Sequence, residues 1–124
     1  QNHIDKINKH FSYSTLNEII KSLENSNEDW EKNVLKTLKR KSPTSMAVTQ
    51  KQLIKSKDLD FDENLKMEFR ICQAMMKKHD FYEGVRANLV EKDRNPKWKP
   101  ATLDLVTDEI IDSHFLNLNE KELF

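Results

Sequence analysis

The chain has 124 residues, in which 21 Lys plus Arg balance 21 Asp plus Glu, hydrophobic residues make up 36%, and Gly84 is the single glycine. That length fits one small domain or part of a larger one, and the zero net charge excludes a global field that would recruit nucleic acid or an anionic membrane as a partner. One glycine also excludes Walker loops, G-x-G-x-x-G turns and G-x-S-x-G elbows, so a self-contained catalytic domain is not expected.

Apolar residues recur at helical spacing over nearly the whole length and nowhere keep a two-residue alternation, which predicts an all-α fold of roughly seven helices. Ile4, Ile7 and Phe11 mark a first helix. After a break at Ser14, Leu16, Ile19, Ile20 and Leu23 mark a second, opened by the capping pair Thr15 and Glu18. Ser26 to Asp29 predicts the start of a third, carrying Trp30, Val34, Leu35 and Leu38 and ending in Lys39-Arg40-Lys41, cations that suit a helix C-terminus. Ser42-Pro43 opens a fourth, because proline at the first helical position forfeits only an N–H that had no partner there. This helix is expected to bury Met46, Ala47, Leu53, Ile54 and part of Gln50.

Lys55 to Asp60 connects to a fifth helix, in which Phe61, Leu65, Phe69, Cys72 and Met76 form the expected buried stripe. Asp80 with Glu83 predicts the cap of the next helix, which carries Phe81, Val85, Leu89 and Val90. From Asp93 to Pro100 the period stops, and two X-Pro steps predict an extended strap for which Trp98 is the expected anchor. Thr107 then caps a last helix, stapled by Val106 and Ile111, with Ile110, His114 and Phe115 behind them; Asn117 to Phe124 is expected to fray.

Cys72 is the only cysteine and no N-x-[ST] site occurs, which fits a reducing interior. No apolar run approaches the ~20 residues of a membrane span, and the first residues lack a signal-peptide core. A soluble intracellular protein is expected. Because the chain opens on Gln1, address signals are expected upstream.

None of His3, His10, His79 and His114 sits in a ligand array, so no metal site is expected. Cys72 and His79, seven residues apart, form a nucleophile–base candidate. Against it stands the apolar stripe, where a thiol behaves as a buried hydrophobe of raised pKa. Met67, Met75 and Met76 read as core filling rather than a soft partner surface. The carboxylates read as caps and solvated charges, so no catalytic residue is assigned. Arg86, Lys92, Arg94, Lys97 and Lys99 cluster where a helix meets the strap, and charge alone leaves two readings open: a clamp for a phosphate-bearing ligand, or a solvated helix end. Glycine inside a helix costs about 1 kcal/mol relative to alanine; for Gly84 the expected compensation is close approach of a neighbouring element's backbone.

Three stretches carry a resemblance: Ser42-Pro43-Thr44-Ser45, Met67-Glu68-Phe69-Arg70, and above all the run from His79-Asp80-Phe81-Tyr82-Glu83-Gly84-Val85-Arg86 through Lys97-Trp98-Lys99-Pro100. They resemble the C-terminal part of the 3-hydroxyisobutyryl-CoA hydrolase family, in the enoyl-CoA hydratase/isomerase (crotonase) superfamily, and the similarity covers nearly the entire chain. The resemblance implies that residues 1–124 are the helical C-terminal domain of an acyl-CoA thioester hydrolase of valine breakdown. The crotonase core, with its oxyanion-binding amides and acidic groups, would lie outside this chain. It also implies no cofactor beyond coenzyme A as part of the substrate, and a place in the mitochondrial matrix of a eukaryote or the cytoplasm of a bacterium. Its implied partners are an acyl-CoA met through the parent enzyme, and the core or a neighbouring subunit that this domain stabilises while completing the acyl-CoA pocket. In related hydratases an E-G-x-x-A-x-x-E-K helix brings a lysine to the adenine and phosphate end of coenzyme A. That pattern falls here on Glu83, Gly84, Ala87, Glu91 and Lys92, which implies Lys92, with Arg94 beside it, as coenzyme A contacts. Leu89 stands where the hydratases carry an aromatic residue, and Asp93-Arg94 replaces their following basic pair. The rival expectation is a non-catalytic helical module that kept this surface for docking and lost the chemistry.

Overall fold

A computed structural model describes residues 3–124, and among these it contains seven α-helices and no strand. The helices fall into two compact units, one ending at Lys41 and one starting at Ser42.

The first unit holds α1 (His3–Phe11), α2 (Leu16–Glu24) and α3 (Asp29–Lys39). The cap of α2 is the predicted one: the Glu18 amide donates to Thr15 Oγ1 at 3.2 Å and the Thr15 hydroxyl donates to Glu18 Oε1 at 2.8 Å. Ile19 and Leu23 of α2 are buried, whereas Ile4, Ile7 and Phe11 of α1 are exposed and its buried residue is His10. One ring nitrogen of His10 lies 2.6 Å from Ser22 Oγ and the other 2.9 Å from Glu31 Oε2, so a polar tie joins all three helices. Burial pushes the Glu31 carboxyl up, but the hydrogen bond to His10, with help from the Lys6 charge, holds it below its ordinary value.

The second unit begins with α4 (Pro43–Ser56), with Pro43 in the first turn and Ser42 Oγ accepting from the Ser45 amide at 3.2 Å. Its buried residues are Pro43, Thr44, Ala47 and Val48. The expected burial of Leu53 and Ile54 is not found. One turn beyond Ala47 and Val48 the inward stripe continues through Lys51 and Lys55, whose ammonium groups lie 5.4 and 5.5 Å from the Phe115 ring centre; Leu53 and Ile54 fall off that stripe.

α5 (Phe61–Met75) is capped by Asp60, which accepts from the Glu63 amide at 2.8 Å. Its core face is Met67, Ile71 and Met75, packed with Val48, Ile111 and Phe115. The predicted stripe is therefore displaced. Phe61 and Met76 are exposed, and so is Cys72, which removes the expectation of a buried thiol. Two apolar stripes run along α5, and periodicity alone does not say which one meets a neighbour. Met67 and Met75 fill core as expected, while Met76 does not.

The chain closes with α6 (His79–Val85), an extended strap, and α7 (Asp108–Asp112) capped by Thr107, which accepts from the Ile110 amide at 3.2 Å. The tail is tethered rather than frayed. Arg70 Nε donates to both Glu122 carboxylate oxygens at 3.0 Å, a further bond joins Arg70 Nη2 to Glu122, and the Leu118 amide donates to Glu122 at 2.8 Å. These bonds draw the Glu122 carboxyl down to about 2. No helix among the described residues is long and apolar enough to cross a membrane.

Candidate functional site

The site is built on α6 together with the turn and strap at its C-terminal end. The predicted cap of this helix, Asp80, lies inside it, since α6 starts one residue earlier and the Asp80 carboxylate is used elsewhere. It accepts from the Ser42 hydroxyl at 2.5 Å and the Lys99 amide at 2.9 Å, and bonds to His79 Nδ1 at 2.8 Å. Glu83, one turn on, accepts from the Lys97 amide at 2.7 Å. Two carboxylates on one helical face thus take alternate amides of the strap, which is the periodicity an extended segment offers. Between those amides, Trp98 turns its indole onto Gly84: a Cβ built there would stand 3.4 Å from Trp98 Cη2. The predicted anchor is in place, and among the described residues the atoms nearest a Cβ at Gly84 belong to this ring rather than to another element's backbone.

After Val85 the helix widens into a π-helical turn over Arg86–Val90, closed by the Glu91 amide donating to the Arg86 carbonyl at 2.8 Å. Such turns are rare and concentrate at functional sites. Arg86 is the hub beneath it. Its guanidinium donates to both Glu83 oxygens at 2.8 and 2.7 Å, to Glu91 at 2.9 Å and to Asp93 at 2.7 Å. The Glu83 carboxyl is accordingly lowered to about 2, chiefly by Arg86 and then by the Lys97 amide. Of the five clustered cations, then, Arg86 is neutralised.

Lys92 and Arg94 are exposed, and no carboxylate among the described residues forms an ion pair with either. Both stand in left-handed backbone, with φ of 59° and 58°, on either side of the Asp93 that Arg86 grips. Neither is glycine or asparagine, so this conformation is unfavourable and is imposed by the surrounding bonds, among them the Arg94 amide donating to the carbonyl of fully buried Ala87 at 2.9 Å.

Beside the strap lies a cavity of about 630 Å³ between the start of α4, α6 and α7. Its walls include Met75, Phe81, Val85, Leu89, Trp98 and Ile110. Thr44 and His114 also line it; the sequence marks Thr44 only as part of the Ser42-Pro43-Thr44-Ser45 stretch and His114 only as a residue behind the Val106–Ile111 staple, with no role as a cavity wall for either. Cys72 is not among the lining residues, though His79 is.

A family model described as enoyl-CoA hydratase/isomerase matches residues 1–115. The chain belongs to the enoyl-CoA hydratase/isomerase family. Among curated relatives it is 44% identical to the mitochondrial 3-hydroxyisobutyryl-CoA hydrolase of Homo sapiens over 123 residues, which is 99% of this chain and 32% of that protein. It is 45% identical to the Xenopus tropicalis protein of the same name over 121 residues, 98% of this chain and 31% of that one. The crystal structure of an enoyl-CoA hydratase from Rhodobacter sphaeroides superposes with a TM-score of 0.90 at 31% identity, covering 98% of this chain and 36% of that one. A carnitinyl-CoA dehydratase from Mycobacterium thermoresistibile gives 0.89 at 30% identity, covering 97% and 34%. This family member thus spans about a third of the length of the curated relatives it matches.

Proposed function

We propose that this chain serves as the helical part of a 3-hydroxyisobutyryl-CoA hydrolase, holding the phosphate end of an acyl-CoA while the thioester chemistry is done by groups outside residues 1–124. The observation that carries the reading is the turn at 91–95: two cations free of ion pairs, presented on left-handed backbone, over an arginine already neutralised by three carboxylates. A phosphate approaching this turn meets Lys92 and Arg94 without competing for Arg86. The reaction is thioester hydrolysis of a 3-hydroxyacyl-CoA in valine catabolism. The compartment is the mitochondrial matrix, in keeping with the relatives named mitochondrial. No cofactor is required beyond the coenzyme A of the substrate, and the chain docks onto a crotonase core or a neighbouring subunit.

The test grafts residues 1–124 in place of the matching third of the human hydrolase and monitors thiol release from 3-hydroxyisobutyryl-CoA. Lys92→Glu and Arg94→Glu should each raise KM for the acyl-CoA about tenfold with kcat within twofold, the loss of one charge-assisted phosphate contact. An unchanged KM in both variants refutes the assignment. An inactive but folded graft would favour the docking-module reading instead.

A further inference from the structure

Residues 32–41, most of α3 and the turn after it, carry five cations and no carboxylate. Lys32, Lys36 and Lys39 are all exposed and, at about 100° per residue, share one side of the helix. Compensation of the helix dipole explains Lys36 and Lys39 in the last turn, but not Lys32 near the start, where a cation gains nothing from it. Lys39 pairs with Glu24 at 3.6 Å, whereas no carboxylate among the described residues forms an ion pair with Lys32 or Lys36. The zero net charge of the chain thus conceals a cationic face.

The opposite excess stands where α4 turns into α5. Residues 58–63 carry Asp58, Asp60, Asp62 and Glu63 and no cation, and all six are exposed. Asp60 caps α5 and Glu63 pairs with Lys66 at 3.5 Å, which leaves Asp58 and Asp62 without an ion pair among the described residues. Between them Phe61 is 76% exposed. Three other rings carry a lysine: Lys6 Nζ lies 5.9 Å from the Trp30 ring centre, Lys51 5.4 Å from Phe115 and Lys66 5.2 Å from Phe124. No cation among the described residues stands over Phe61. α7 offers a second acidic stretch, but its Asp112 is held by Lys51 and it contains no aromatic residue.

We propose that copies of this chain associate head to tail, the Lys32 and Lys36 face of α3 in one copy seating on the 58–63 corner of the next. The lysine stems lie over Phe61 and their ammonium groups meet Asp58 and Asp62. The contact joins two different surfaces, so an open assembly keeps one free cationic face and one free acidic corner and grows past the dimer. Exposed ion pairs are individually weak and screened, which makes the association weak and dependent on salt. The inference uses neither Lys92 nor Arg94 and stands apart from the acyl-CoA reading.

The test is sedimentation velocity of the 124-residue chain over a concentration series, at about 0.05 M and about 0.5 M NaCl. At low salt the mean mass should rise with concentration beyond that of a dimer, and the association should weaken about tenfold at high salt. Lys32→Glu with Lys36→Glu, and separately Asp58→Lys with Asp62→Lys, should each leave a monomer whose helix content by circular dichroism is unchanged. An equimolar mixture of the two should associate again, because each supplies the charge the other has reversed. Asp108→Lys with Glu109→Lys should associate like the unaltered chain. A chain that stays monomeric at low salt, or whose association ignores salt, overturns the proposal without recourse to any variant. So does a reversed variant that assembles like the unaltered chain, a mixture of folded variants that stays monomeric, or loss of association on reversing Asp108 and Glu109.

Discussion

Gly84→Ala tests how the strap is held. Alanine lowers the cost of helical backbone by about 1 kcal/mol relative to glycine, and Gly84 lies within α6 just ahead of the π-helical turn, where that term applies. Against it stands the space for a methyl group. The added Cβ would meet Trp98 Cη2 at 3.4 Å and Cζ3 at 3.7 Å, ordinary van der Waals contact that needs no displacement of the ring. The propensity term wins, and the substitution should stabilise the second unit by roughly 0.5–1 kcal/mol, a rise in Tm of roughly 2–8 °C for a unit of this size. Gly84→Leu has the opposite sign: a branched side chain needs the volume the indole occupies, so Trp98 leaves and the Lys97 and Lys99 amides lose Glu83 and Asp80. The assay is thermal unfolding tracked by far-UV circular dichroism, with Trp98 emission reporting the strap. A destabilised Gly84→Ala, or one whose Trp98 emission shifts to that of exposed indole, would show that the glycine is needed for a closer approach than this packing contains.

Two other perturbations read the charge network. The Glu83 and Glu122 carboxyls are drawn from the ordinary 4.5 to about 2, so each contributes stability that is present above pH 4.5 and disappears as pH falls toward 2. Urea midpoints of the second unit should therefore be level from pH 7 to 5 and fall steadily below 4.5; Glu122→Gln should be less stable at pH 7 and should lose less on acidification, and parallel curves for the two proteins would count against the pairing. Arg86→Lys keeps the charge but cannot reach Glu83, Glu91 and Asp93 together, because an ammonium lacks the guanidinium fork. Hydrogen exchange at the Lys97 amide should accelerate at least tenfold in that variant, with the His114 amide as a control, and unchanged exchange would remove Arg86 from the role of hub.

Whether an interaction is legible in the sequence depends on its range. Caps and proline starts are local, so Thr15 declares itself through Glu18, Ser42 through the adjacent Pro43 and Thr107 through the staple of Val106 and Ile111 around it, and the structure finds all three caps at work. The strap and its tryptophan anchor are legible for the same reason, since each X-Pro step constrains the residue before it. Choosing the buried face of a helix is not local. α5 offers two apolar stripes, and the one facing Val48 and Phe115 is selected by partners 19 and more residues away, which no spacing rule contains. The acidic residues of α6 fail as predicted caps for a related reason. Asp80 and Glu83 satisfy a capping pattern, but a strap at Lys97 and Lys99 has amides with no ladder of their own, and the two carboxylates bond those amides across 14 and 19 residues instead of closing the helix start. Thr44 and His114 lay further still from view, because the walls of a cavity between α4, α6 and α7 come from elements far apart in the chain. The cation cluster stands between these cases: five positive residues are countable in the sequence, yet only the bonds around Arg86 divide the one that holds the turn together from the Lys92 and Arg94 it leaves facing outward.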